Sequence, residues 1–362
     1  GKTLGGSSSI NAMVYIRGQA EDYEDWRDAG NPGWGWQDVL PCFKRMEDHS
    51  LGASEFHGAD GPLHVNASTE AIHPVSNEFI TACQEAGLPY NADFNGATQE
   101  GVGTYHITTK DGKRMSAARA YLWPIRNRNN LHIETNALAS RILFDGRRAI
   151  GVAYEKDGQT HSVRAQREVI LCAGAINSPQ LLMLSGVGPA AALSELGIEA
   201  VHDNRQVGNN LQDHFGVDHS YHSSQPTLNN QLHSLSGKVF AGMNYMLCGR
   251  GPLTRNINHA GGFFRTRPDL TRPNMQLYFS PMSYRKAPVG KRPLMNPDPF
   301  PAFNIGISQC RPTSSGHVRL TGNHVRTKPE IQPDYLATEH DQQETLEGIR
   351  FLRHLATMPT MK

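Results

Sequence analysis

Apolar residues recur along this chain first at helical spacing, then at strand spacing. Between Ala20 and Asp28, Tyr23 and Trp26 sit among Asp22, Glu24 and Asp25, which predicts a solvated helix with an aromatic inner face, ended by Gly30, Pro32 and Gly33. Val39, Leu40, Phe43 and Met46 continue a helical period from Gly35 to Asp48, and Val75, Phe79, Ile80 and Cys83 form one stripe of a helix over 74–86. Residues 49–62 read as a Gly/Ser/His loop. From Leu131 the period shortens to two. LHIET, ASRILF, AIGVAYE and HSVRA predict four strands of a meander, with hairpin turns at Asp145-Gly146 and Asp157-Gly158.

The run Val169 to Cys172 predicts a buried strand. Gly174 and Ala175 then allow a tight turn, and Asn177 or Ser178 can cap a helix that Pro179 enters and Gly186 ends. In NMQLYFS, Met275, Leu277 and Phe279 alternate with Gln276, Tyr278 and Ser280, which predicts a strand with one apolar and one polar face. A Pro/Arg-rich stretch from Arg285 to Pro301 reads as a long loop. Glu347, Ile349, Phe351, Leu352 and Leu355 give a last helical pattern.

A chain of 362 residues, 38% of them apolar, can bury a large core and points to two domains. Lys plus Arg (35) nearly balance Asp plus Glu (34), and the interspersed charges leave no nucleic-acid footprint. The expected partner is a small molecule. Cys42, Cys83, Cys172, Cys248 and Cys310 are odd in number and form no CxxC pair, which argues for free thiols in a reducing compartment. The seventeen histidines show no pair at metal-ligand spacing with a third ligand, so no metal is expected. No apolar run reaches the length of a membrane span. The expected location is cytoplasmic, with peripheral contact at the inner membrane.

GGSSS alone suits a flexible linker, but INAMVYIRG follows it at once, with Ile10, Met13, Val14, Tyr15 and Ile16. A linker gives no reason for that apolar run. Around residue 174, a strand, a small-residue turn and a helix start could present backbone N–H groups to a phosphate or flavin edge, or could be an ordinary strand-to-helix corner.

Three stretches in order, GKTLGGSSSINAMVYIRGQAEDYE, GAINSPQLLMLSGVG and VGNNLQDH, resemble the signatures of the glucose-methanol-choline oxidoreductases, nearest to choline-dehydrogenase-like members. The segments Gly251-Pro-Leu, Ala260-Gly-Gly-Phe263 and PEIQPDYLATEHD extend the resemblance along the chain. It implies a mixed α/β fold: a Rossmann-like FAD domain, here residues 1–50 and 130–220, and a substrate domain on an antiparallel sheet, here 51–129 and 221–362. The implied chemistry is oxidation of an alcohol to a carbonyl by hydride transfer to flavin N5, with a quinone or O₂ as electron acceptor. A hydroxynitrile-lyase-like enzyme or an inert fragment is the alternative.

The implied cofactor surface is Leu4, Gly5, Gly6, Ser7, Ser8, Asn11, Ala12, Met13 and Val14, with Ala139 at the adenine end and Gly174 and Ala175 at the second motif. Glycines at 5 and 6 admit a pyrophosphate close to the backbone, and Ser7 and Ser8 can donate to it. Members that tether FAD have a histidine where this chain has Ile10, so non-covalent FAD is expected. Choline-specific members have a glutamate before the xGGF turn. Here that residue is His259, which cannot attract a trimethylammonium group and could carry partial positive charge. His259, Asn258, Gln276 and Tyr278, with Asn256 and Ser280 beside them, are the substrate-wall candidates. No GxGxxG occurs in the chain. The resemblance places that fingerprint before Gly1, and the catalytic histidine and its partner beyond Lys362, so no catalytic residue is expected within these residues.

Overall fold

The alternation at 275–280 becomes the middle strand of a five-stranded antiparallel sheet in a computed structural model that describes residues 1–67, 72–284 and 296–362. Most of the loop expected from Arg285 to Pro301 therefore lies outside the described residues. The strand order is Gly216–His222, Ala302–Gln309, Met275–Ser280, Ala260–Phe264, Gly101–Thr104. Met275, Leu277 and Phe279 are fully buried on one face, where the helix Val75–Glu85 brings Phe79 against Phe279 at 4.6 Å between ring centroids. Phe351 and Leu352 of the helix Glu339–Leu355 complete this core, Phe351 stacking on Phe264 at 4.2 Å. On the opposite face Gln276 and Tyr278 are half-buried beside Tyr105, Phe94 and Phe263.

Two compact units share the chain: Gly1–Leu131 with Gly216–Cys310 and Glu344–Lys362, and His132–Phe215 with Arg311–Gln343. The chain passes from one unit to the other after Leu131, Phe215, Cys310 and Gln343. Residues 1–50 pack within the larger unit, and 311–343 within the smaller. The helices Ala20–Asp28 and Trp36–Met46 form where the amphipathic period placed them.

In the smaller unit the meander has three strands, Leu138–Asp145, Arg148–Lys156 and Gln159–Arg164. Asp157 and Gly158, at φ 51° and 78°, make the second turn with the positive φ values of a type I′ hairpin. LHIET is not a strand, because no described segment pairs with it. The expected buried strand at Val169–Cys172 is likewise absent: no described strand receives its N–H and C=O groups, and Ile170 is 76% exposed. The following helix runs Gly174–Leu184, beginning at a left-handed Gly174 (φ 87°). Asn177 and Ser178 thus lie inside it instead of capping it, and Pro179 is an interior residue whose missing N–H leaves the Ala175 carbonyl without its i→i−4 bond. Gly186, also left-handed, ends the helix as expected.

Close packing on the polar face of the large sheet depends on Gly306. A Cβ there would stand 2.2 Å from the Tyr278 ring and 2.3 Å from Asp218 Oδ1. Gly306→Ala is expected to cost about 1–3 kcal/mol through overpacking, whereas Gly242→Ala, with open space at its Cβ inside a helix, should stabilise by about 1 kcal/mol. Urea midpoints of the two variants test the contrast.

Candidate functional site

The strip expected to face a cofactor is a 3-10 turn over Gly6–Ser9 followed by an extended segment. Gly5 and Gly6 both take left-handed φ, 86° and 56°, which a side chain would oppose. Gly6 faces open space: nothing lies within 4 Å of where its Cβ would be. Leu4, Gly5, Gly6 and Ser8 are half-buried, and Ser7, Asn11 and Ala12 are exposed. The Ser8 hydroxyl is already engaged, donating to the Gly5 carbonyl at 2.5 Å and accepting from the Ala117 N–H at 2.9 Å. Ser7 is thus the serine of the pair whose hydroxyl can serve an outside phosphate.

Asn11 Oδ1 accepts from Met13 N–H at 3.0 Å and from Arg114 at 2.7 Å, and Arg114 also reaches the Ser8 carbonyl at 3.1 Å. Met13 has a left-handed φ of 62° and a buried side chain, while Val14 bridges Ile107. The strip is therefore clamped by residues 106–118. Arg114 was not singled out from the sequence, where it is one of three cations in KRMSAARAYL.

Behind the strip, Arg17 is 4% exposed and donates to Glu47 Oε2 and to the Phe56 carbonyl, each at 2.6 Å. Glu47, wholly buried, also accepts from Gly58 N–H at 3.0 Å and from His57 Nδ1 at 3.1 Å, and His57 Nε2 donates to Asp93 at 2.7 Å. Burial opposes charge on His57. The two carboxylates outweigh it and raise the imidazole to a pKa of about 9. Glu47 and Asp93 stay below the usual carboxylate value: burial is the largest influence and acts upward, but hydrogen bonds from His57 and nearby positive charge overcome it.

Glu47, His49 and His57 bring possible ligand atoms within 4.8 Å of one another, a grouping the sequence spacing did not show. Both His57 nitrogens are committed to carboxylates. His49 Nδ1 accepts from Leu51 N–H at 3.3 Å, its Nε2 donates to His106 Nδ1 at 3.2 Å, and His106 Nε2 donates to the Ala92 carbonyl at 3.1 Å. With the tautomers this network implies, each ring nitrogen has a partner, and the cluster forms a buried ion-pair node.

In the smaller unit, Ala139 is half-buried at the start of the first meander strand, and Gly174 and Ala175 are exposed at the start of the Gly174–Leu184 helix. Gly174 has open space where a Cβ would stand. Its backbone can take close approach.

Among the substrate candidates, Tyr278 donates to the Ile307 carbonyl at 2.9 Å, and burial pushes its phenol up to about 12. Gln276 donates to the Tyr105 hydroxyl at 3.2 Å. Both are tied into the sheet. Asn258 is half-buried and accepts at its carbonyl from Asn256 at 2.5 Å. His259 is 2% exposed; Nδ1 accepts from His73 N–H at 3.0 Å, and Nε2 has no hydrogen bond among the described residues. Burial, aided by Arg255 and His73, lowers its pKa to about 3. Burial thus favours the neutral imidazole over the partial positive charge expected from its ordinary value. His259 is a neutral donor with its Nε2–H unspent.

The profile of the GMC oxidoreductase family matches residues 1–216. Over 355 residues the chain is 42% identical to the mitochondrial choline dehydrogenase of Mus musculus, covering 98% of this chain and 58% of that protein. It is 41% identical over 369 residues to the alcohol dehydrogenase (acceptor) of Pseudomonas putida, covering 100% and 65%. The chain thus spans about three-fifths of the length of these relatives. Among solved structures, pyridoxine 4-oxidase from Mesorbium loti aligns with TM-score 0.83 at 27% identity over 98% of this chain and 65% of that one. A formate oxidase aligns with TM-score 0.88 at 25% identity over 100% and 68%. Ordered motifs, a family match over residues 1–216 and two-fifths identity along the whole chain converge: the chain belongs to the GMC oxidoreductase family.

Proposed function

We propose that this chain carries the flavin strip and substrate wall of an FAD-dependent enzyme that oxidises an alcohol to a carbonyl. The observation that supports it most is the left-handed Gly6, next to an equally left-handed Gly5, opening onto free space in a strip clamped by Arg114. A phosphate can approach there without meeting a Cβ, and Ser7 can donate to it. FAD, when bound, supplies the acceptor atom N5 for the hydride. Asn11 to Val14 would line the isoalloxazine ring, Ala139 the adenine, and Gly174 and Ala175 another edge of the cofactor. Ile10, 62% exposed, offers no nucleophile, which favours dissociable FAD. The relatives named choline dehydrogenase and alcohol dehydrogenase support oxidation over the lyase alternative. The general base is assigned outside these residues.

His259 shapes the choice of alcohol. A buried neutral imidazole beside Arg255 gives no attraction to a quaternary ammonium. Neutral alcohols are the favoured substrates, with Asn258, Gln276 and Tyr278 as further wall residues. Electrons leave to a quinone or O₂. A cytoplasmic location with peripheral contact at the inner membrane belongs to the same proposal. Among the described residues no helix is long and apolar enough to cross a membrane.

The test is anaerobic addition of alcohols to the full-length flavoprotein. Neutral primary alcohols should bleach the visible flavin absorbance. Failure of every alcohol to reduce it would overturn the oxidation, and a kcat/KM for choline above all neutral alcohols would overturn the role given to His259. Dye-coupled against peroxide-forming rates separate quinone from O₂.

A further inference from the structure

The helix Leu235–Cys248 is built inside out. At about 100° per residue, Leu235, Val239, Phe240, Met243, Met246 and Leu247 share one arc, and they are 79, 54, 71, 53, 83 and 78% exposed. The inward side holds Gly237, Ala241, Asn244 and Tyr245, small or polar residues that are buried or half-buried. A surface helix normally turns its apolar stripe to the core. This one is well formed all the same: Ser234 Oγ accepts from Gly237 N–H at 3.0 Å at its start, and a left-handed Gly249 closes its end.

We infer that this helix docks on an anionic lipid surface, its apolar arc sunk to the headgroup boundary. The segment from His219 to Pro268 contains no Asp or Glu, and its exposed cations Lys238 and Arg250 flank the arc. The hairpin of Thr109–Lys110 and Lys113–Arg114 lies against the helix end, since a Cβ on Gly112 would stand 2.9 Å from the Gly249 carbonyl. It adds exposed Lys113 beside Asp111, the one carboxylate of the hairpin. An apolar face with a cationic fringe is what interfacial helices present to anionic membranes. A second copy of the chain fits less well, because six side chains on one helix fall short of the roughly 20–30 residues a side of a stable dimer. The docking deepens the peripheral contact proposed above but stands on the helix alone. It would bring the larger unit to the phase that holds lipid-soluble electron acceptors.

The full-length flavoprotein, sedimented with phosphatidylcholine vesicles with and without phosphatidylglycerol, tests this. Partition should require phosphatidylglycerol and weaken with salt. Phe240→Asp and Met246→Glu should each lower it at least tenfold, and Lys238→Gln or Arg250→Gln about fivefold, with flavin spectrum and dye-coupled turnover unchanged. A wild-type protein that stays in the supernatant overturns the inference, as do variants that sediment like wild type. A dimer that Phe240→Asp dissociates would instead assign the face to a second copy. Because sedimentation needs no turnover, failure of the proposed oxidation leaves the result readable.

Discussion

Replacing Glu47 with alanine is expected to cost about 3–5 kcal/mol, since it leaves buried charge without its counter-ion. Arg17 and His57 both depend on this carboxylate, and neither is more than 5% exposed. Water cannot take over. The penalty comes from the charges left behind, so Arg17→Met combined with Glu47→Leu should cost clearly less than the sum of the single changes; urea midpoints of the four proteins decide this. Additive costs would show that the pair does not act as a unit.

The same node sets a pH profile. His57 has a folded pKa of about 9 against an ordinary 6.5, so its contribution is fully present below pH 6.5 and is lost as pH rises through 9. His49 works in the opposite sense. Burial and the neighbouring imidazoles hold it near 4, so it contributes above 6.5 and that contribution is lost as pH falls through 4. Glu47 and Asp93, held below their ordinary values, lose their share in the same acid range. Stability should therefore peak near pH 6.5. His57→Gln should flatten the alkaline limb of a melting-temperature profile and also weaken the acid limb, since His57 helps hold Glu47 and Asp93 low; an unchanged alkaline limb would remove His57 from this role.

Gly5→Ala should lower flavin retention about tenfold or more, equivalent to at least about 1.4 kcal/mol. A Cβ at Gly5 would meet Ser9 Oγ at 2.5 Å and the Ala118 backbone nitrogen at 3.1 Å. Ser9 cannot swing away freely, because its hydroxyl donates to the Leu4 carbonyl at 2.7 Å. Left-handed φ adds about 1–2 kcal/mol for a residue with a side chain. Stability and flavin should fall together. Gly6→Ala separates the two effects: with nothing within 4 Å, the new methyl disturbs no protein neighbour and projects into the space assigned to the phosphate. Its urea midpoint should move little while flavin content after gel filtration falls sharply. Full flavin content in Gly6→Ala would move the phosphate away from this glycine.

Helices with a strong amphipathic period and a glycine or proline stop were legible in the sequence, as at 20–28 and 75–85. So was the 275–280 strand, whose period of two survives in its alternating burial. Val169–Cys172 misled because an apolar run specifies a strand only when another strand receives its hydrogen bonds. Asn177 and Ser178 misled because Pro179 sits inside a helix that starts at Gly174. The ion-pair node was invisible: Arg17, Glu47, His57 and Asp93 are far apart along the chain and meet only through folding. The neutrality of His259 was invisible for a related reason, since burial, not residue type, sets its protonation.

Met13 carries a last consequence for how this motif can be moved. A methionine at φ 62° opposes its own backbone preference, and it is held there by Thr108 N–H on its carbonyl at 2.9 Å, by Tyr15 N–H on the His106 carbonyl at 2.9 Å, and by burial of its side chain. The shape of the strip is thus dictated by residues 106–108 and 114, a hundred positions downstream. A scaffold grafted with GGSSSINAMV alone would inherit the letters of the motif without its conformation; transplantation requires both segments together.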